Sequence, residues 1–220
     1  MQLSGSWSLS AWERCAVTWR RSRGSGTMRS HGFGPPWRIE ARCADGSEMG
    51  IRLETERLIV RPIESRDGDA WFAMITDPDV RRYLPPGPLP TRDAFAGALE
   101  KRHAMERQRG YTLWAVEAKA TGDFVGQSGL VPVEGIGPEI EIAYHFAKAS
   151  WGKGYATEAA IAVLAHGLDT VCLERIIAIV MPGNIGSCRV VEKAGMRFEG
   201  TATYYGIPGL RKYAAMRGRR

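Results

Sequence analysis

Residues 150–159, Ser-Trp-Gly-Lys-Gly-Tyr-Ala-Thr-Glu-Ala, set two glycines around a lysine and then run straight into residues that favour helix. A helix N-terminus leaves about four backbone N–H groups without intrahelical partners, and the aligned peptide dipoles add partial positive charge there. Gly152 and Gly154 let the chain turn sharply and let a bulky phosphate approach with no Cβ in the way. Successive amides from Gly152 to Thr157 can then converge on an anion, with Lys153 adding charge. Just upstream, residues 139–146 read Glu-Ile-Glu-Ile-Ala-Tyr-His-Phe. As a strand they place Glu139, Glu141 and Ala143 on one face and Ile140, Ile142 and Tyr144 on the other. A carboxylate on a strand that feeds an anion-binding turn can serve as a general base, directly or through water. The plainer reading of Glu141 is an exposed strand carboxylate paired with a cation.

Other phosphate motifs fit poorly. The nucleoside-triphosphate loop requires G-x-x-x-x-G-K-[ST], a spacing that does not occur here. The dinucleotide fingerprint requires a third glycine where this chain has Thr157, and an acidic ribose ligand at a strand end; Glu174 falls near that distance but begins a strand. Cys15, Cys43, Cys172 and Cys188 lie too far apart for a metal knuckle and are too few for a disulfide framework, so no metal is expected and a reducing compartment, the cytoplasm, fits best. The net charge of +6 comes partly from an arginine-rich start and the closing Arg217-Gly218-Arg219-Arg220; between them the signs are interspersed, with no basic stripe for nucleic acid. No run of eighteen apolar residues is present, which excludes an apolar helical span.

The elements that must carry these residues begin late in the chain. With 220 residues, 44% hydrophobic and 25% charged, one sizeable core is expected. Residues 1–48 hold four tryptophans, no lysine and breakers such as Gly34-Pro35-Pro36, with neither helix nor strand period. They read as a disordered leader or one outside the true start at Met49, with 49–220 as the globular domain; a transit peptide is the competing reading. Leu58 to Pro62 reads as a strand, Asp67 to Ile75 as a helix, and Thr91 caps a second helix towards Arg109 with Phe95, Leu99 and Met105 inside. A meander follows: Tyr111–Ala118, a turn at 119–123, Phe124–Val131, and Glu139–Phe146. After Thr157, Ala159, Ala160, Val163, Leu164 and Leu168 form an apolar helix face. Glu174–Val180 reads as a buried strand, Asn184–Ala194 as a helix stopped by Gly195, and strands near Met196–Thr203 and Leu210–Ala215 close the chain. The class is α/β or α+β with a mixed sheet.

The 151–156 segment resembles the pyrophosphate-binding motif Q/R-x-x-G-x-G/A of the GNAT superfamily of acyl-CoA N-acyltransferases. Gly154 and Ala156 match, and Trp151 occupies the Gln/Arg place; the form W-G-x-G-[YF]-A-[TS]-E-A is similar to the RimJ/RimL-type branch. Residues 53–62 look like that branch's first strand, 126–130 its third and 139–146 its fourth. Asn184 to Met196 is similar to its N-x-x-S-x-x-x-x-E-K-x-G-[FM] segment. The resemblance runs from about Ile51 to Ala215 and implies one mixed, mostly antiparallel sheet flanked by helices, with a splayed strand pair holding acetyl-CoA.

It also implies the chemistry. An amine must attack the thioester carbonyl while neutral, the oxyanion must be stabilised, and the thiolate must leave protonated. At pH 7 deprotonation costs about 1 kcal/mol for an α-amine and roughly 4–5 for a lysine. The resemblance assigns the pantetheine arm and carbonyl to the backbone of Tyr144, His145 and Phe146, and the diphosphate to Trp151, Gly152, Lys153, Gly154, Tyr155, Ala156 and Thr157. Asn184 resembles the family's cofactor-contacting asparagine and is equally natural as a helix N-cap. Ser187 matches a position that meets the cofactor or protonates the thiolate, with Tyr205 its rival as acid. Glu158 complements the helix dipole and orients the loop. The acceptor, a protein N-terminal amine or a small-molecule amine, would sit among the early helices and the loop at 83–90, in a monomer or homodimer. A module that binds acyl-CoA without catalysis is the competing class.

Overall fold

In the computed structural model the backbone is described for residues 38–42 and 50–218. The expected leader therefore lies outside the described residues, apart from strand β1 (Arg38–Arg42), which pairs antiparallel with β2 (Gly50–Glu54) and which the periodicity did not disclose. The 53–62 stretch, read as one strand, is divided. Thr55 N–H donates to the Leu58 carbonyl and Thr55 Oγ1 accepts from the Leu58 N–H, turning the chain so that Leu53 faces Val60 of β3 (Leu58–Arg61).

Helices α1 (Gly68–Thr76), α2 (Pro78–Arg81) and α3 (Ala94–Arg109) follow. Asp77 accepts from the N–H groups of Asp79 and Val80 and so starts α2, a helix absent from the sequence reading. Thr91 Oγ1 does accept from Ala94 N–H, and Phe95 and Leu99 pack inward as expected. Met105 is only half-buried; the buried residue beside it is Glu106. Glu106 accepts from the Trp114 indole at 3.1 Å and the Ile51 N–H at 2.8 Å, two donors that apolar packing would strand.

Strands β4 (Leu113–Ala118), β5 (Phe124–Pro132) and β6 (Ile140–Phe146) form the meander. Then come α4 (Tyr155–Ala165) with a π-helical end at His166–Thr170, β7 (Arg175–Val180), α5 (Ile185–Lys193), β8 (Arg197–Tyr204) and β9 (Ile207–Met216). The sheet order is β1-β2-β3-β4-β5-β6-β7-β9-β8, with every pair antiparallel except β6 and β7. A parallel pair needs a crossover, and α4 supplies it.

One sheet face packs on α4 and α5 around Trp114, Leu130, Ile142, Val163 and Ile176. The predicted α4 stripe of Ala159, Ala160, Val163, Leu164 and Leu168 lies wholly in this core, each large side chain contributing roughly 1.5–3 kcal/mol by burial. The other face packs on α1 to α3 around Ile63, Trp71, Met74, Val80 and Ala115. Cys172 has φ +62, and Cys188 is free and buried. Among the described residues no helix is long and apolar enough to cross a membrane.

Candidate active site

Between β6 and β7 the pairing is confined to one position, Glu141 opposite Ile177. On its other side β6 is paired with β5 continuously from Ile140 to Phe146. Beyond Glu141, the edge of β6 that faces β7 therefore carries backbone groups with no ladder partner, the divergence expected of a strand pair that admits an extended ligand. A cavity of about 880 Å³ occupies this opening. It is lined by Glu141 to Phe146, the Trp151–Thr157 turn except Lys153, Ala178 to Met181, Asn184, Ser187 and Tyr205. All the candidate site residues except Lys153 thus meet in one space.

The turn is built as its composition requires. Gly152 and Gly154 have φ of 75° and 81°, and Gly154 is the N-cap of α4. A Cβ at Gly152 would meet no atom within 4 Å, so among the protein's own atoms the left-handed backbone is the reason for glycine there. The first helical bond runs from Glu158 N–H to the Gly154 carbonyl, which leaves the N–H groups of Tyr155, Ala156 and Thr157 ahead of the ladder. Trp151 donates its indole N–H to the Phe146 carbonyl at 2.8 Å, tying the turn to the end of β6. Lys153 does not line the cavity, and its carbonyl instead accepts from Arg57 Nη1 at 2.8 Å.

Glu158 orients the loop through that arginine. Its carboxylate accepts from Arg57 Nε at 2.7 Å, Arg57 N–H at 2.8 Å and Thr55 Oγ1 at 2.6 Å. Burial would raise its pKa, but the bonds from Thr55 and Arg57 outweigh that and hold it below the usual carboxylate range.

The strand faces fall as the alternation requires. Ile142 and Phe146 enter the α4 core with Tyr144 packed against it. Glu141, Ala143 and His145 lie on the opposite face, Glu141 against Tyr205 and His145 linked through Gln127 to Trp71 of α1 and Arg102 of α3. Glu141 is 7% exposed, and its pKa is raised to about 7 by burial, with repulsion from Glu134 adding and the Tyr205 hydrogen bond opposing. Glu139, by contrast, is held by Arg175, Lys212 and the Tyr204 hydroxyl, a structural ion network outside the cavity.

The two acid candidates are separated. Tyr205 donates to Glu141 Oε1, and its own backbone N–H donates to Glu134 Oε1 at 2.6 Å. Ser187 instead sits 2.8 Å from the Tyr144 hydroxyl, a partner the sequence reading did not assign to it. Ser187 N–H donates to Asn184 Oδ1 at 3.0 Å, so Asn184 caps α5 and leaves its amide NH₂ for other contacts. His145 is kept from charging, first by burial and then by Arg102, with its pKa lowered to about 4. Gln127, Arg102 and Arg57 were not singled out by sequence; their only signal is an alternating strand face or a helix period, which does not mark polar residues as functional.

Residues 57–197 match the family model described as the acetyltransferase (GNAT) domain. The Bacillus subtilis (strain 168) protein YkkB is 36% identical over 168 residues, covering 71% of this chain and 91% of its own length. YnaD of the same organism, described as an uncharacterized N-acetyltransferase, is 33% identical over 150 residues, covering 68% and 85%. A crystal structure of a GNAT-family acetyltransferase from Bacillus anthracis superposes with a TM-score of 0.63 at 30% identity, over 76% of this chain and 98% of that one. Mycobacterium smegmatis RimJ, in complex with CoA-disulfide, shares the fold at 24% identity with a TM-score of 0.62, over 82% and 85%.

Proposed function

This chain belongs to the GNAT acetyltransferase family and is an acetyltransferase, and from that premise we propose that it moves the acetyl group of acetyl-CoA to a primary amine by direct attack in a ternary complex. The observation that carries the reading is the burial of Glu141 at the last paired position before β6 and β7 part. A carboxyl held near pH 7 at the mouth of such an opening can take a proton from an attacking amine, and its environment sets that value.

The residues present fit the co-substrate. Acetyl-CoA, when bound, supplies an activated thioester. The alternate N–H groups on the β7-facing edge of β6, between Ile142 and Phe146, offer donors to the thioester oxygen and the pantetheine amides, and pre-placed donors of this kind commonly supply the largest electrostatic contribution. The N–H groups from Gly152 to Thr157 receive the diphosphate, each charge-assisted bond worth roughly 1.5–3 kcal/mol. Glu141 accepts the amine proton, directly or through water. Ser187, its hydroxyl held by the Tyr144 hydroxyl, passes a proton to the departing thiolate and regains one from solvent in the open cavity, while Glu141 releases the amine proton to solvent. Tyr205 serves Glu141 rather than the leaving group.

A protein N-terminal amine or a small-molecule amine is the acceptor in this reading. The test is to titrate the protein with acetyl-CoA by calorimetry, then offer a panel of peptides and small amines while free thiol is monitored. Binding with amine-dependent thiol release is expected. Binding without turnover of any acceptor would instead make the chain an acyl-CoA sensor, and no binding would end the enzymatic reading.

A further inference from the structure

His145 stands two residues beyond Ala143 on the same face of β6, as Glu141 stands two residues before it. Each is about 7 Å along the strand from Ala143. His145 lines the cavity, and its Nδ1 lies 2.7 Å from Gln127 Nε2. The Gln127 amide can face only one way. Its Oε1 lies 3.1 Å from the Trp71 indole nitrogen and 3.0 Å from Arg102 Nη2, and both of those groups only donate. The NH₂ end therefore donates to His145 Nδ1, and the ring proton is carried on Nε2. That Nε2–H has no protein partner among the described residues and is not among the atoms sealed from solvent without one.

Behind it lies a charge with no counterion among the described residues. Arg102 Nη1 is closed off and unpartnered, and the guanidinium lies over the Trp71 ring at 5.8 Å. Burial is the cause acting on its pKa, lowered to about 10, and no carboxylate among the described residues offsets it. An uncompensated cation behind the acceptor face repels an ammonium unless the acceptor brings its own anion.

We infer that the His145 Nε2–H, backed by the Arg102 guanidinium, forms a carboxylate-binding subsite, so that the acceptor is an amine carrying a carboxylate within a few bonds of its nitrogen. The inference rests on the acetyltransferase reading and narrows its acceptor. With the amine over Ala143, Glu141 takes its proton on one side and His145 holds its carboxylate on the other. Gln127 and Trp71 are positioning residues that fix the ring proton.

Paired acceptors that differ only in the anionic group test it: α-amino acids and γ-aminobutyrate against their carboxamides, with rates expressed per unprotonated amine. The wild-type protein is expected to favour the carboxylate member by about tenfold or more in kcat/KM, the scale of one hydrogen bond to a charged group. Arg102→Met is expected to bring that ratio towards one through KM, and Arg102→Lys to retain part of it. Because Met removes a buried unpaired cation, its thermal midpoint should not fall. Equal rates for the two members in the wild type, or equal loss for both in Arg102→Met, overturns the subsite.

A second arm needs no turnover. Protein labelled with ¹⁵N-histidine and saturated with CoA is titrated with N-acetylglycine and with its amide, the His145 signals being assigned by their loss in His145→Gln. A shift at Nε2 with the carboxylate alone supports the subsite, and no difference between the two probes overturns it. A selective shift without acetylation of any amine would remove the transferase reading and leave the subsite. Acetylation with neither preference nor shift would do the reverse.

Discussion

The Tyr205 hydroxyl donates its hydrogen bond to Oε1 of Glu141, from a residue whose backbone is held at φ +54. The same hydroxyl accepts from Glu134 N–H at 3.2 Å, and Glu134 in turn has φ +56. Left-handed backbone at a non-glycine residue costs of order 1–3 kcal/mol and persists where surrounding contacts over-determine it. Here those contacts run from the β8–β9 turn and the β5–β6 connection into one carboxyl, which explains why a tyrosine near the chain end belongs to the site.

Tyr205→Phe should raise the pKa of Glu141 further, because burial already raises it and the lost hydrogen bond is what opposes that. The rising limb of the rate against pH should move up by about one unit. Turnover at pH 7 then falls about tenfold or less and recovers by about pH 9. A loss that persists equally at every pH would make Tyr205 a proton donor instead.

Glu141→Gln should abolish the limb with its inflection near pH 7, leaving acetyl-CoA affinity unchanged by calorimetry. The loss should be about 100-fold between that pH and the pKa of the acceptor amine, and shrink above it, where the amine is already neutral. Stability should change in the opposite sense. Folded Glu141 keeps its proton to about 7 against an ordinary 4.5, so the folded state binds more protons between those values. Its stabilising contribution is full below the lower value and is lost as pH rises through the upper one. The melting temperature of Glu141→Gln should therefore exceed that of the wild type at pH 8 and match it near pH 4. An unaltered rate profile would remove Glu141 from the mechanism.

Gly154→Ala puts a side chain at φ 81 and a Cβ 3.3 Å from Arg57 Nη2, the group that steadies the turn. The backbone strain is about 1–2 kcal/mol, and the diphosphate amides shift with it, so the Kd for acetyl-CoA should rise about tenfold. Gly122→Ala is the control, at φ 74 with open space around the Cβ in the β4–β5 turn. It should lower the melting temperature comparably and leave the Kd alone. Equal effects on Kd would mean that the Gly154 result is only strain.

Local pattern reached far into this molecule because much of it is set by period and by backbone conformation. The α4 stripe is apolar at helical spacing and lies wholly in the core. Two glycines before a helix could be read as left-handed residues, and Gly195 likewise stops α5, at φ 88. The alternation of residues 139–146 separated Glu141 from Ile142 correctly. It could not separate Glu139 from Glu141, which share a face, because one meets Arg175 and Lys212 across the sheet and the other meets Tyr205. The helix period places Met105 inside and does not point to Glu106, since nothing in it shows that a tryptophan indole and a strand N–H need an acceptor there.

The amino-acid sequence by itself determined the glycine turn before α4, the strand face that carries Glu141 and, apart from the short α2, the order of the elements from β3 onward, since each follows from residue type and from spacing along a single stretch of backbone. Only the tertiary structure decided what surrounds those groups: Tyr205 64 residues from Glu141, Ser187 43 from Tyr144, and Arg102 25 from Gln127. A proton's affinity for a carboxyl or an imidazole is set by burial and by neighbouring donors and charges, and those neighbours are gathered from distant parts of the chain only when the sheet closes over its helices.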